Sequence, residues 1–332
     1  MRKEALRMGD TTARSPVVSI GVVTWNSEED LAACLEGVAA QENLALELIV
    51  VDNGSTDGSV DLVRRLYPAA VLVSNPENMG YCRAQNQAIG HAHGEFYLGL
   101  NPDVRLLPGY IERMVQALRS RPEYGSAVGK LWQTIDRDPR VLDSTGLFLD
   151  RRRHQYLRGH GRPDLGQYDQ AGEIFGVDGA VAFHRRQMLE EVAFEGQYFD
   201  EQFFSYMEDV DLAWRARLLG WKSWYEPGAQ AFHKRRFKPG GRGRMEREIR
   251  RVAVKNRYLM LYKNEGADEW RRDWWRVRLY DLEIWAYILL MEQSSLAALS
   301  LYRRQRERAL AWREEIWRRV RARPEDRLQW FG

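Results

Sequence analysis

Two cysteines in 332 residues, Cys34 and Cys82, lie far apart with no CxxC or Cys/His spacing around them. That leaves no material for a zinc site or a disulfide scaffold and suits a reducing cytoplasm. Phosphate-binding glycine loops are missing as well. No G-x-x-x-x-G-K-[ST] occurs, which excludes a P-loop NTPase, and Thr24-Trp25-Asn26 stands where G-x-G-x-x-G would follow the first strand, which disfavours a nicotinamide dinucleotide fold. No G-x-S-x-G nucleophile elbow is present either. Charge of one sign is scarce: a net charge of +3 does not by itself indicate a nucleic-acid partner. The opening MRKEALRMGDTTARSP has no apolar core of a signal peptide and reads as a loose tail. There is no internal repeat.

Long hydrophobic runs are absent too. The nearest approach, Leu279 to Tyr302, is apolar and rich in Trp and Tyr, but Asp281, Glu283 and Glu292 interrupt it. Each carboxylate in mid-membrane costs about 2.5–3.5 kcal/mol, which argues against a spanning helix. Two readings fit better. One is an interfacial amphipathic helix whose flanking arginines meet anionic headgroups, a peripheral membrane contact. The other is a helix packed on its neighbours or on a second subunit, as in a homodimer.

What is present, 44% hydrophobic and 29% charged residues, describes a globular chain of one large α/β domain or one domain with an appendage. Basic residues gather late, in Lys234 to Lys238, Arg242 to Arg251 and Arg303 to Arg323. The first half alternates strand-like and helix-like segments. Val17 to Val23 and Leu48 to Val51 are short apolar runs, and the helix between them carries Leu31, Leu35 and Val38 behind Asn26 and Ser27 as capping residues. Ser59 to Leu66 is helical, Val71 to Val73 strand-like, Cys82 to His91 helical, and Phe96 to Leu100 a fourth strand ending at Asn101-Pro102-Asp103. Pro108 then opens a helix with Ile111, Met114, Val115 and Leu118 on one face. This alternation predicts a mostly parallel sheet with helices on both faces. Functional groups in such sheets collect beyond the carboxyl ends of the strands, so Asp52 and Asp103 should share one crevice.

From about Tyr124 the pattern becomes mixed, and Gly240-Gly241-Arg242-Gly243 reads as a flexible loop before a basic helical end. The run FFSYMEDVDLAWRARLLGWKSWYEPGAQAFH is the most informative in the chain. Glu208, Asp209 and Asp211 crowd the start of a helix, Leu212, Ala216 and Leu219 recur at helical spacing, and Gly220 is placed to end it. A short strand then reaches His233. Acids in a first helical turn serve the helix dipole and capping. Beside Asp52, Asp103 and His233, they also supply the oxygen and nitrogen donors of acid–base or divalent-metal chemistry.

Five segments in order carry a resemblance: VVSIGVVTWNSEEDLAACLEGV, LIVVDNGSTDGS, ENMGYCRAQNQAIG, LGLNPDV and FFSYMEDVDLAWRARLLGW. Over about residues 17 to 235 the chain resembles a family 2 inverting glycosyltransferase of the GT-A fold, and most of all the bacterial rhamnosyltransferase-like branch active in cell-wall polysaccharide synthesis. The resemblance implies a GT-A, Rossmann-like, mostly parallel sheet flanked by helices. It divides the chain into a tail (1–16), a transferase domain (17–235, its nucleotide-binding half about 17–123 and its acceptor-side half about 124–235) and a basic helical C-terminal extension (236–332).

It further implies that Asp52 binds the base of a nucleoside diphosphate sugar, with Thr24, Trp25 and Asn26 beside it, although an Asx-turn would also place an aspartate there. Asn78 and Gly80 belong to its donor segment. Arg83 and Asn86 meet the diphosphate or sugar, or else serve as cap or surface. Asp103 binds Mg2+ or Mn2+, with His233 as a further ligand. Asn101 replaces the first acid of the usual D-x-D motif and removes one charge. Asp209 is the general base, and Glu208 and Asp211 support it. Gly179, Ala180, Glu208 and Trp132 line the acceptor side, Trp132 as a stacking face or as core. The implied donor is dTDP-L-rhamnose or a UDP- or GDP-sugar, and the acceptor a glycan or lipid-linked sugar. The implied placement is cytoplasmic or peripheral at the inner membrane face. A sugar-phosphate nucleotidyltransferase would need a glycine-rich, arginine-containing loop that GVVTWNSEED does not supply. A membrane-surface or nucleic-acid binder using the late Arg/Trp-rich helices would show salt-sensitive binding and no nucleotide-sugar affinity.

Overall fold

The computed structural model describes residues 16–133, 140–235 and 247–332. The expected N-terminal tail, but for its last residue, and the loop at Gly240–Gly243 lie outside them. The chain begins β1 (Val18–Thr24), α1 (Glu28–Ala39), β2 (Leu46–Asp52), α2 (Ser59–Leu66), β3 (Val71–Ser74), α3 (Tyr81–Gly90) and β4 (Phe96–Leu100). It continues with β5 (Val104–Leu106), α4 (Tyr110–Arg119), β6 (Tyr124–Trp132), β7 (Leu142–Ser144), the hairpin β8 (Leu147–Leu149) and β9 (Gln155–Leu157), and β10 (Gly172–Ile174). Then come β11 (Val181–Arg185), α5 (Arg186–Val192), α6 (Glu208–Leu218) and β12 (Lys222–His233). Four helices close the chain: α7 (Arg247–Asn264), α8 (Ala267–Met291), α9 (Ala297–Arg318) and α10 (Pro324–Gln329).

The main sheet runs β10-β12-β6-β11-β4-β1-β2-β3, with β5 on β12 and β7 on β6. Pairings β1·β2, β1·β4, β2·β3 and β6·β12 are parallel, while β11 enters antiparallel between β4 and β6. Alternation along the strands explains the layers. In β2, Leu46, Leu48 and Val50 enter the core shared with α1, α2 and α4, whereas Ile49 and Val51 enter the core built by α3, α5 and α6. The second core also takes Leu259 and Met260 of α7, Ala309, Trp312 and Ile316 of α9, and Phe331. The C-terminal helices thus share a core with the sheet.

Two local expectations needed adjustment. The strand reaching His233 is twelve residues long, because β12 absorbs Pro227-Gly228 in an irregularity between Glu226 and Gln230. The apolar segment from Leu279 to Tyr302 is two helices, broken by a 3-10 turn at Gln293–Leu296. The end of α6 conforms to a left-handed C-terminal stop: Gly220 has φ 91°, and the Trp221 amide donates to the Ala216 carbonyl.

Candidate active site

Strand register brings Thr24 opposite Asp52 at the carboxyl ends of β1 and β2. Asp52 is buried, and its Oδ2 accepts from the Ser55 amide at 3.2 Å, the local turn expected of such a residue. Its Oδ1 and the Thr24 hydroxyl are buried with no hydrogen-bond partner among the described residues. Two such unpaired polar groups at neighbouring strand ends are costly unless something fills the crevice above them. Asn26, at φ 48°, donates its amide to Ser55 Oγ (2.9 Å) and accepts from the Thr56 amide (2.8 Å), so the loops after β1 and β2 are tied together. Trp25 between them is half exposed.

Asn53 is a hub that the sequence did not single out. Its Nδ2 donates to Asn78 Oδ1 (2.9 Å) and the Gly80 carbonyl (3.3 Å), and its Oδ1 accepts from Asn75 Nδ2 (3.0 Å) and the Met79 amide (3.1 Å). Asn78 also accepts from the Gly80 amide at 3.0 Å, so the side-chain carbonyl of Asn78 shapes this turn. Gly80 has φ 87°, and a Cβ there would lie 2.5 Å from the Phe204 ring. Arg83 is exposed on the first turn of α3. Asn86 is buried, with its amide committed to the 198–201 loop: Nδ2 donates to the Phe199 carbonyl and Glu201 Oε1, and Oδ1 accepts from the amides of Tyr198 and Phe199.

On the other side of the crevice, the Asn101 amide donates to the Ala180 carbonyl at 2.9 Å. Asp103 Oδ1 lies 3.4 Å from His233 Nε2. The other imidazole nitrogen, Nδ1, is 2.9 Å from Asp143 Oδ2. A carboxylate on one nitrogen fixes the ring and leaves the other facing an acidic ligand, the arrangement of metal-binding histidines. Arg235 donates twice to Asp143 (2.9 and 2.9 Å) and once to Asp178 (2.8 Å). Burial opposes charge throughout this chain of groups, yet mutual pairing outweighs it. Asp103 and Asp143 lift His233 to about 9, and His233 and Arg235 hold Asp143 down at about 2.

No set of three or more His, Cys, Asp or Glu side chains among the described residues is arranged to hold a metal ion. Asp103 and His233 are a two-donor set of the kind that Mg2+ or Mn2+ completes with water and substrate phosphates, and they fit such an ion in that sense.

Asp209 sits in the first turn of α6. Its Oδ1 accepts from the Val210 amide (2.8 Å) and its Oδ2 from the Gly179 amide (3.3 Å). Tyr81 holds the same loop by donating to the Gly179 carbonyl at 3.0 Å. Burial and then the Asp178 carboxylate push Asp209 up to about 6, against the two amides and Arg235. Glu208 is pushed further, to about 8, by burial and by Asp209. Both acids of this turn are therefore raised, Glu208 more than Asp209, by burial and by the carboxylates around them.

Asp211 is a buried anchor, accepting from Arg215 Nε (2.9 Å), Lys263 Nζ (3.0 Å) and Asn264 Nδ2 (2.8 Å). Ahead of the helix, Phe204, Tyr206 and Met207 all have positive φ. Asn256 of α7 braces that turn by donating to the carbonyls of Phe203, Ser205 and Tyr206 at 2.9, 2.9 and 2.7 Å.

Trp132 does not present a stacking face. It is 4% exposed, donates to Asp164 Oδ2 at 2.9 Å, and packs between Phe232 and the Arg140 guanidinium.

Fold and crevice together define a GT-A glycosyltransferase. A family model described as glycosyl transferase family 2 matches residues 19–192, and the chain belongs to that family. A Mycobacterium tuberculosis N-acetylglucosaminyl-diphospho-decaprenol L-rhamnosyltransferase is 27% identical over 290 residues, covering 79% of this chain and 88% of that protein. Among solved structures, Staphylococcus aureus TarS 1–349 in complex with UDP-GlcNAc aligns with a TM-score of 0.57 at 17% identity, over 91% of this chain and 89% of that one. GalNAc-T7 with UDP, GalNAc and Mn2+ aligns at 0.59 and 13% identity, over 76% of this chain and 48% of that one.

Proposed function

We propose that the chain is an inverting glycosyltransferase that moves a sugar, L-rhamnose from dTDP-rhamnose as the first choice, to a glycan or lipid-linked acceptor. The observation that carries the mechanism is Asp209: a carboxylate fixed by two backbone amides in a pocket it lines with Tyr81 and Gly179, with its proton affinity raised towards neutrality. In the reaction, the acceptor hydroxyl oxygen bonds to the anomeric carbon as the bond from that carbon to the diphosphate oxygen breaks. The hydroxyl proton passes to Asp209, and the nucleoside diphosphate leaves. A base whose pKa lies just below the working pH is both ionised and able to take a proton.

Asp52, through its unpartnered oxygen, accepts the ring N–H of a pyrimidine base while the Thr24 hydroxyl donates to a neighbouring base carbonyl, and exposed Trp25 borders it. Gly179 and Ala180, in the loop that touches Asp209, face the acceptor. Asp103 and His233 would hold the divalent ion, which when bound offsets the charge growing on the departing diphosphate. Support for the rhamnosyl reading is the relative at 27% identity, whose name specifies a lipid diphosphate-linked acceptor.

The test is release of nucleoside diphosphate across a panel of donors, with and without chelator, for wild type and Asp209→Asn. The expected result is turnover reduced at least about 100-fold by the substitution, as for loss of a general base, with the melting temperature unchanged. Full activity in Asp209→Asn removes it as the base. A thermal shift that prefers UDP or GDP over dTDP removes the rhamnose assignment and leaves the transferase.

A further inference from the structure

Helix α8 is amphipathic in the reverse sense. Its inward face carries Glu269, Asp273 and Asp281, all buried, alongside Val277 and Ile288. Ion pairs hold that face to the body. Glu269 meets Arg327, Asp273 meets Arg153 (3.0 Å) and Arg151 (2.6 Å), and Asp281 meets Arg257 (3.0 Å). The outward face carries Trp274, Trp275, Leu279, Leu282, Leu289 and Leu290, with Leu290 79% and Leu282 65% exposed. Leu296 and Leu299, across the 3-10 turn, extend it onto α9. A surface helix ordinarily turns such a stripe to the core and its charges to water. Here three buried carboxylates with arginine partners fix the rotation, so the helix cannot roll its leucines inward without stripping charges of their partners.

Two further features say what covers the face. At 100° per residue, the positions from Trp274 to Leu290 sweep about 160° of the helix, wider than the narrow seam that a partner helix covers in a coiled coil. Its charge is also one-sided. Arg271, Arg278, Arg303, Arg304 and Arg306 are exposed on α8 and the first half of α9, where the exposed carboxylates are Glu283 and Glu307. Leucines flanked by Trp, Tyr and arginine match the boundary between anionic headgroups and acyl chains. No helix among the described residues is long and apolar enough to cross a membrane, so the match is to a helix lying in the surface.

We propose that the outer face of α8, continued by the start of α9, seats the protein on an anionic lipid bilayer with α8 parallel to the surface. This goes beyond the transferase reading and does not depend on it, since the contact uses neither the crevice nor a substrate.

The experiment is co-sedimentation of the full chain, without donor or acceptor, with vesicles of phosphatidylglycerol and phosphatidylcholine and with vesicles of phosphatidylcholine alone. Wild type is compared with Leu282→Glu/Leu289→Glu/Leu290→Glu, and with Leu290→Gln as a milder variant at the most exposed position. The expected result is binding to the anionic vesicles that weakens as salt is raised. It falls more than about tenfold in the triple variant, because each leucine withdrawn removes apolar area from the buried face. Melting temperatures should match wild type, and Leu290→Gln alone should bind measurably less. Three results overturn the proposal. One is wild type that stays in solution with anionic vesicles. Another is wild type and Leu290→Gln that bind equally while both are folded. The third is wild type that forms a dimer disrupted by these substitutions without binding vesicles, which assigns the face to a second copy.

Discussion

Lys263 offers the sharpest test of how the C-terminal helices support the turn that opens α6. It is fully buried on α7, with Nζ 2.7 Å from Asp200 Oδ2 and 3.0 Å from Asp211 Oδ2, and 4.7 Å from the ring centroids of both Phe203 and Trp312. Lys263→Met keeps the aliphatic stem and removes the charge. Asp211 would retain Arg215 and Asn264, so its charge stays compensated. Asp200 would keep the amide of Gln202, at 3.0 Å, and the weaker attraction of Lys255. One buried carboxylate is thus left without its hydrogen-bonded cation, a loss of about 3–5 kcal/mol. At about 2–3 °C per kcal/mol for a chain of this length, the melting temperature should fall by roughly 6–15 °C. Lys263→Ala should cost about 2 kcal/mol more, for the methylenes it also removes. Asp200→Asn in the Lys263→Met background should recover a large part of the loss, because it deletes the orphaned charge. The assay is thermal and urea unfolding of the four proteins. A Lys263→Met protein within about 1 kcal/mol of wild type, or no recovery on adding Asp200→Asn, refutes the reasoning.

Under the mechanism proposed, kcat/KM should rise with pH and level off above about 6, the value to which burial and Asp178 raise Asp209, because the base works only when deprotonated. Glu208→Gln should leave that profile nearly unchanged, since burial and Asp209 keep Glu208 protonated up to about 8; a profile shifted by a full unit would contradict it. Asn256→Ala withdraws the donor that three carbonyls of the positive-φ turn share, Phe203 alone keeping an amide, that of Ser205, and should cost about 1–3 kcal/mol while lowering kcat more than it raises KM. Unfolding curves and steady-state kinetics together check this. Chelation should abolish turnover without changing the melting temperature of the substrate-free protein by more than about 2 °C, because Asp103, His233 and Asp143 already satisfy one another.

The parts of the site that could be read from the sequence are those whose signal is local. Asp52 and Asp103 end apolar runs at or near the carboxyl ends of β2 and β4, and Asp209 opens a helix whose spacing and terminal Gly220 are visible in one short stretch. The residues that tune them were not legible, because their partners are remote. Arg235 joins Asp143 and Asp178 across 92 and 57 positions, and Lys263 reaches Asp211 across 52. Trp132 shows the same limit from the other side. A flat aromatic suits a sugar face and a core equally, and what marks it as core here is burial and a hydrogen bond to Asp164, 32 positions away. The sequence showed a short strand reaching His233, but an irregularity beside β6 carries β12 through Pro227-Gly228 over twelve residues. For α8 the sequence showed apolar and acidic residues interleaved. Only the arginines that claim the acids settle which side faces out.

The antiparallel strand β11 has a further consequence. It pairs with β4 from Val181↔Leu100 to Arg185↔Phe96, and one more bond joins Asn101 to Ala180 just beyond. The loop leading to Asp103 and the loop touching Asp209 therefore leave the sheet as neighbouring threads of a single ladder. On the roles proposed, the gap between leaving group and base is a distance ruled by main-chain hydrogen bonds, which side-chain substitution leaves untouched. Residues on either loop are then free to change with the sugar or the acceptor while the spacing between the two halves of the reaction stays the same.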